Sequence, residues 1–224
     1  MSLKTELVIF DWDGTLYNSV GQIVASLQHA AEQHELSLTD EAAKSIIGLG
    51  LPEVMQTLFP EAPELHDSIL KAYGDHYIAN STNDAWFDGV AELLHDLKAQ
   101  GLKLAVATGK NRRGLDRVIA KTQSTHLFDV TRAANETRSK PDPLMLQEIL
   151  TVTGVSVERA VMIGDSSYDL EMAQRLNMPR IGVGYGVHSS EVLQQFKPLT
   201  IAKDVQELHR FLNGYAQLPA IDLV

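Results

Sequence analysis

The sequence predicts an α/β fold, a doubly wound parallel sheet with a block of helices inserted after its first strand. Three observations lead there. A short apolar run, Leu7-Val8-Ile9-Phe10, stops abruptly at polar residues and a glycine, as a strand buried on both faces does. From about residue 86 onward, short apolar runs alternate with helical patterns, the signature of βα units and a parallel sheet. Between the two, residues 17–85 carry helical periodicity and no convincing strand. The expected organisation is therefore an α/β core built from residues 1–16 and 86–224, with residues 17–85 forming a separate helical domain.

Taken in order, Val20, Ile23, Val24, Leu27, Ala30 and Ala31 recur at helical spacing, with Asn18 or Ser19 available as the cap. A second helix is expected to start at Thr39, with Asp40 and Glu41 favoured by the positive end of its dipole, and to stop at Gly48. Pro52 and Pro63 suit the first turns of two more helices, running to about Phe59 and Ala79. A helix over 89–100 is closed by Gly101 and leads into a strand over 103–107. Further strands are expected over 128–133, 160–163 and 180–183. Helices over 113–121, 143–153 and 167–176 fall between them.

The composition narrows the function classes. A chain of 224 residues with 44% hydrophobic residues can bury a sizeable core. Its formal net charge of -10 argues against a general nucleic-acid partner, whose phosphates attract basic surfaces. A phosphorylated small molecule remains compatible, because a local field can oppose the net charge. There are no cysteines, which excludes disulfides and thiolate metal sites and fits a cytoplasmic location. The eight histidines show no metal-ligand spacing. Four apolar residues near the N-terminus are too few for a signal-peptide core, and no run approaches a membrane span, so no membrane partner is expected.

In open parallel sheets, ligands bind beyond the carboxyl ends of the strands. The first strand ends at Asp11-Trp12-Asp13-Gly14-Thr15-Leu16, where two carboxylates sit two residues apart before a glycine that permits a sharp turn. Such close like charges call for a nearby cation or a proton on one of them. The second strand ends at Thr108-Gly109-Lys110, and the strand over 160–163 runs into Gly164-Asp165-Ser166-Ser167-Tyr168-Asp169. Prolines fix the chain around Lys140 in Ser139-Lys140-Pro141-Asp142-Pro143. Each piece has an ordinary alternative: an Asp-Gly turn, a Thr-Gly helix cap, a solvated lysine, and a helix cap with a dipole partner at Asp165 and Asp169. Together they place carboxylates, a hydroxyl, glycine amides and an ammonium on one sheet edge. That set can hold a divalent cation and a phosphoryl group.

Asp11-Trp12-Asp13-Gly14-Thr15, Thr108-Gly109, Lys140-Pro141 and Gly164-Asp165 through Asp169 resemble, in order, the four motifs of the haloacid dehalogenase-like (HAD) superfamily. The resemblance spans essentially the whole chain. It implies a Rossmann-like core, and the helical insertion is similar to the cap of the phosphoglycolate phosphatase-like branch. Gly182-Val183-Gly184-Tyr185-Gly186 is also similar to that branch; it lies too late in the chain and lacks the spacing for a dinucleotide fingerprint.

The resemblance implies a nucleophile at Asp11 and a general acid and base at Asp13. It implies Mg2+ held by Asp11, Asp165, the Asp13 main-chain carbonyl and Asp169, the last directly or through water. Thr108 and Gly109 would hold phosphoryl oxygens while Lys140 balances charge. The dehalogenase branch lacks a second aspartate at the position of Asp13, so a metal-dependent phosphatase of a small phosphorylated metabolite, phosphoglycolate-like or a sugar phosphate, is expected. The alternatives are a β-phosphoglucomutase-like mutase, a pyrophosphatase and a noncatalytic binding protein. Two further features bear on the substrate. Lys110, Arg112 and Arg113 cluster where a helix dipole disfavours cations, so one could meet a second acidic group, or all could be surface pairs. Gly48, in the Gly48-Leu49-Gly50-Leu51 stretch between two cap helices, is a candidate substrate contact; the stretch could equally be a plain helix-helix turn.

Overall fold

The computed structural model describes residues 5–81 and 85–215. A six-stranded sheet is built from β1 (Leu7–Phe10), β2 (Lys103–Thr108), β3 (Val130–Ala133), β4 (Ala160–Gly164), β5 (Arg180–Val183) and β6 (Ile201–Ala202). All neighbouring strands are parallel, in the order β3-β2-β1-β4-β5-β6. The order reverses beside β1, so β1 lies centrally and its carboxyl end opens at the switch point where ligands bind. Phe10 is in register with both Val106 and Ile163. The chain therefore leaves the sheet at Asp11, Thr108 and Asp165 side by side.

Strand β1 is apolar throughout because helices cover both of its faces. Val8 and Phe10 pack on one side with Leu93, Leu94 and Leu97 from α5 (Val90–Ala99). Leu7 and Ile9 pack on the other side with Met145, Leu146 and Ile149 from α7 (Leu144–Thr153). The core helices α6 (Arg112–Lys121) and α8 (Ser167–Gln174) follow β2 and β4. Two helices, α9 (Ser190–Gln194) and α10 (Val205–Tyr215), complete the chain around β6. Helix α10 closes the first face, where Leu208 and Leu212 are buried.

The insertion consists of α1 (Val20–Glu32), α2 (Asp40–Ser45), α3 (Leu51–Leu58) and α4 (His66–Asn80). These helices have an apolar cluster of their own, with Leu27, Ala30 and Ala31 of α1 against Ile69 and Tyr77 of α4. Their connections to the sheet run together: the Phe87 N–H donates to the Leu16 carbonyl at 3.1 Å and the Asn18 N–H to the Ala85 carbonyl at 2.9 Å. Trp12 packs there on Trp86, ring centres 4.9 Å apart, with Tyr17 beside both.

The helical layer is seated on the sheet edge by polar contacts. The Gly50 N–H donates to Ser139 Oγ at 2.8 Å, and the Tyr168 hydroxyl donates to the Ser45 carbonyl at 2.8 Å. Gly109 is in direct backbone contact: a Cβ there would lie 2.5 Å from the Leu49 oxygen and 2.6 Å from that of Gly48. Only glycine allows that approach.

Several boundaries differ from the sequence expectation. Helix α2 stops at Ser45 and the chain turns through Gly48 at φ +109°. Pro63 opens a single 3-10 turn, Pro63–Leu65, before α4 begins at His66. Strand β3 begins at Val130, after the 3-10 turn Thr125–Leu127, with Phe128 packed on the core. The sixth strand and the last two helices were not expected. No helix among the described residues is long and apolar enough to cross a membrane.

Leu104 of β2 is fully buried on the α5 side of the sheet. Leu104→Ala is expected to lower the unfolding free energy by about 2–5 kcal/mol in urea titrations, with the spectrum of the folded protein retained.

Candidate active site

Asp11 continues β1, its N–H donating to the Ile163 carbonyl at 2.9 Å. The chain then turns through Gly14 at φ +81°, which brings Thr15 back toward β4. Thr15 Oγ1 donates to Asp165 Oδ1 at 2.7 Å, and the Val187 N–H donates to Asp165 Oδ2 at 2.8 Å. Asp165 is 1% exposed and packed so closely that a Cβ on Gly14 or Gly186 would collide with its side chain at 2.2 and 2.1 Å. The glycines of the first motif and of the Gly182–Gly186 stretch thus make room for one carboxylate.

The expected helix cap at Asp165 lies one residue further on. Ser166 is the cap of α8, and Asp169 closes a reciprocal box with it: Asp169 Oδ2 accepts from Ser166 N at 3.0 Å and from Ser166 Oγ at 2.6 Å. The other Asp169 oxygen accepts from Lys140 Nζ at 2.6 Å. Lys140 Nζ also lies 2.9 Å from Asp11 Oδ1, and its side chain has no exposed surface. A solvated lysine is therefore excluded at this position. Ligand oxygens of Asp11, Asp165 and Asp169 come within 4.8 Å of one another, all buried.

Burial raises Asp11 well above the ordinary carboxylate range; Lys140 opposes the rise, while Asp169 and Asp165 add to it. Burial, reinforced by Asp169, pushes Asp165 up to about 7 against the pull of Thr15, Val187 and Lys140. For Lys140, burial alone would lower the pKa, but Asp11 and Asp169 outweigh it and hold the ammonium charged. Three carboxylates and one ammonium leave the cluster short of positive charge. Asp11 Oδ1 is buried and receives no well-aligned hydrogen bond, its contact with Lys140 being ionic. An all-oxygen set with a deficit of cation fits a divalent metal such as Mg2+.

Asp13 stands apart from this cluster. Its Oδ1 accepts from Ser19 Oγ at 2.5 Å and pairs with Lys110 Nζ at 2.9 Å. Thr108 is buried beside Asp11 and Asp13 on the wall of a cavity of about 330 Å³, and Gly48, Gly109 and Lys110 line the same cavity. The expected Thr-Gly cap is replaced by Asn111, whose side chain accepts from Gly114 N at 2.7 Å.

The structure thus brings Asp11, Asp13, Thr108, Gly109, Lys110 and Gly48 to one cavity, with Lys140, Asp165 and Asp169 behind Asp11. Of the three basic residues expected near a second acid, Arg112 is turned away. It pairs with Glu136 at 2.6 Å and Asp116 at 3.1 Å. Lys110 is committed to Asp13, and Arg113 lines the cavity. Sequence reading missed Thr15, Ser19 and Ser166, ordinary hydroxyls whose partners lie elsewhere in the chain or in a turn. It also missed Arg117, which lines the cavity one helical turn after Arg113; that spacing was the available signal.

Comparison with known proteins agrees with this arrangement. A family model described as haloacid dehalogenase-like hydrolase matches residues 8–183. The phosphoglycolate phosphatase of Mesorhizobium japonicum is 27% identical over 207 residues, covering 89% of this chain and 91% of that protein. The pyrophosphatase PpaX of Halalkalibacterium halodurans is 27% identical over 209 residues, covering 92% and 96%. The crystal structure of a predicted phosphatase from Clostridium acetobutylicum superposes with a TM-score of 0.84 at 25% identity, covering 94% of this chain and 99% of that one. With four ordered motifs converging on one sheet edge and the family model spanning most of the sequence, this chain belongs to the haloacid dehalogenase-like hydrolase family.

Proposed function

We propose that the chain is a Mg2+-dependent phosphatase of small phosphomonoesters that works through an aspartyl phosphate on Asp11, with residues 17–85 serving as a cap over the site. The observation that carries this reading is the separation of two carboxylates at one cavity. Asp11 is backed by Lys140, while Asp13 is held independently by Ser19 and Lys110. Two such groups can divide the labour of hydrolysis, one bonding to phosphorus and the other moving protons.

In the first half-reaction, a carboxylate oxygen of Asp11 attacks phosphorus and the bond to the leaving oxygen breaks. Asp13 gives that oxygen its proton. Ser19 and Lys110 both approach Asp13 Oδ1, which leaves Oδ2 to carry the proton. In the second half, Asp13 takes a proton from water as the water oxygen attacks phosphorus, which frees inorganic phosphate and restores the Asp11 carboxylate. Thr108 and the Gly109 amide orient the phosphoryl oxygens, and Lys140 opposes the rise that burial imposes on the Asp11 carboxyl. Asp11, Asp165, Asp169 and the Asp13 carbonyl would hold Mg2+, which would neutralise phosphoryl charge. Small substrates are supported by the cavity of about 330 Å³ and by relatives named for phosphoglycolate and pyrophosphate.

Phosphate release from a panel of monoesters tests the reading, run with Mg2+ and with excess chelator. Asp11→Asn should fall to background. Asp13→Asn should lose about 10²–10⁴-fold in kcat while keeping the Mg2+-induced rise in melting temperature. Metal-dependent turnover by Asp11→Asn would sink the assignment.

The raised carboxylates also set a pH dependence. A group whose folded pKa lies above its unfolded value contributes stability at low pH that is lost as pH rises through the folded value. Asp165 therefore weakens the metal-free protein between about pH 4 and about pH 7. Mg2+ favours the ionised form, so its stabilising effect in thermal melts should be larger at pH 8 than at pH 5.5. Lys140→Met removes the internal counter-charge. It should cost about 3–5 kcal/mol in urea unfolding at pH 8 and less at pH 5.5, where the carboxylates can take up protons instead.

A further inference from the structure

The cavity extends well beyond the reacting carboxylates, and its far part has a distinct chemistry. One wall is apolar, formed by Ile23, Leu27, Ile46, Ile47 and Val54 of the helical layer. Helix α6 contributes Arg113 and Arg117, one turn apart, to the same lining. At about 330 Å³ the space is in the range that encloses a ligand larger than a phosphoryl group with a two-carbon acid.

The two arginines are the unpaired charges of this cavity. Lys110 is neutralised by Asp13, Lys71 by Asp75 at 2.6 Å, and Asp11 by Lys140. Arg113 and Arg117 have no carboxylate partner among the described residues, although the chain carries 29 acidic residues against 19 basic ones. Arg112, their neighbour, takes Glu136 and Asp116 instead. Arg117 is positioned by Tyr77, its guanidinium carbon 5.3 Å from the ring centre, and Lys110 Nζ lies 5.0 Å from the same centre. One buried ring thus spaces the second cation from the reaction centre, and the two cations are at most about 10 Å apart.

Resting on the phosphatase reading above, we infer that the substrate is an amphipathic phosphomonoester: its leaving group carries an apolar body against the Ile23–Val54 wall and ends in a second anion held by Arg113 and Arg117. A guanidinium pair suits a carboxylate or a phosphate, and both present the same oxygen geometry. A two-carbon acid has no apolar body to lay against the wall. A neutral alkyl phosphate uses the wall alone.

The test compares kcat/KM for 2-phosphoglycolate, 4-phosphooxybutanoate, 6-phosphooxyhexanoate, 6-phosphonohexyl phosphate and hexyl phosphate, with p-nitrophenyl phosphate as a general substrate. The six-carbon acids should exceed both hexyl phosphate and 2-phosphoglycolate by about tenfold or more, the gain of a charge-assisted pair. The more favoured of the carboxylate and phosphonate ends identifies the distal acid. In Arg113→Gln/Arg117→Gln, the acid-to-neutral ratio should fall toward one, chiefly through KM, and Arg117→Lys should keep part of it. A wild-type ratio near one overturns the inference without reference to any variant, as does a double variant that retains the preference. Release from p-nitrophenyl phosphate with no such discrimination removes only this inference, whereas no release from any ester removes the phosphatase reading with it.

Discussion

Lys140 holds two carboxylates inside the protein, at 2.9 Å from Asp11 and 2.6 Å from Asp169, with none of its own side chain in water. A buried ammonium is expensive unless it is paired, and buried carboxylates are expensive for the same reason. The site is stable because each group supplies what the other lacks. Its positions are dictated by elements far apart in sequence: Asp11 by the central strand, Lys140 by a loop before α7, and Asp169 by the first turn of α8. Asp169 is fixed by the cap of its own helix through Ser166, so the lysine is aimed by a helix terminus. A change in any of the three would leave an uncompensated charge at the carboxyl edge of the sheet, where Thr15, Val187 and two crowding glycines already confine Asp165.

The helical layer answers a second constraint. The proposed phosphoryl transfer between anions would gain from exclusion of water, which the sheet edge alone cannot provide. Here the loop carbonyls of Gly48 and Leu49 rest on Gly109, and two side-chain-to-backbone hydrogen bonds tie the layer to Ser139 and Tyr168. The same layer has its own apolar cluster, so it can hold its shape while contacting the core through few groups. The connections near Trp12, Tyr17 and Trp86 begin within two residues of Asp13, and Ser19 at the start of α1 donates directly to that carboxylate. The helical layer and the Asp13 carboxylate are thereby linked through a single hydroxyl.

Most of the fold was legible because its strands are short, mostly apolar and bounded by turn residues. The run Leu7–Phe10 and the run Ala160–Gly164 are examples. Strand β6 was not, since two residues carry no periodicity; it is held as a strand only by pairing with β5. Of the site, the motif residues could be read because they sit at strand ends. Their partners could not. Ser19 and Thr15 are unremarkable hydroxyls until the Gly14 turn brings them back to Asp13 and Asp165. The basic cluster after β2 divided in a way that no sequence rule separates. Arg112 found Glu136 across a loop, Lys110 found Asp13, and Arg113 faces the cavity.

That division gives the cavity an internal polarity unrelated to the net charge of -10. At and behind Asp11, three carboxylates share one lysine, which favours a cation. At the α6 end, two guanidinium groups lack acids, which favours an anion. On the proposed reading, a phosphomonoester bound beside Asp11 would place its dianion near the first of these, and its leaving group would have to extend to reach the second. Charged side chains partly withdrawn from solvent cost more than the same groups in bulk water, because less solvent screens them. Arg117, only partly exposed and stacked on Tyr77, bears that cost without an internal partner, whereas Arg112, a few residues away on the same helix, does not. Under the proposed function, the asymmetry along one short helix would separate recognition of the leaving group from the chemistry at phosphorus.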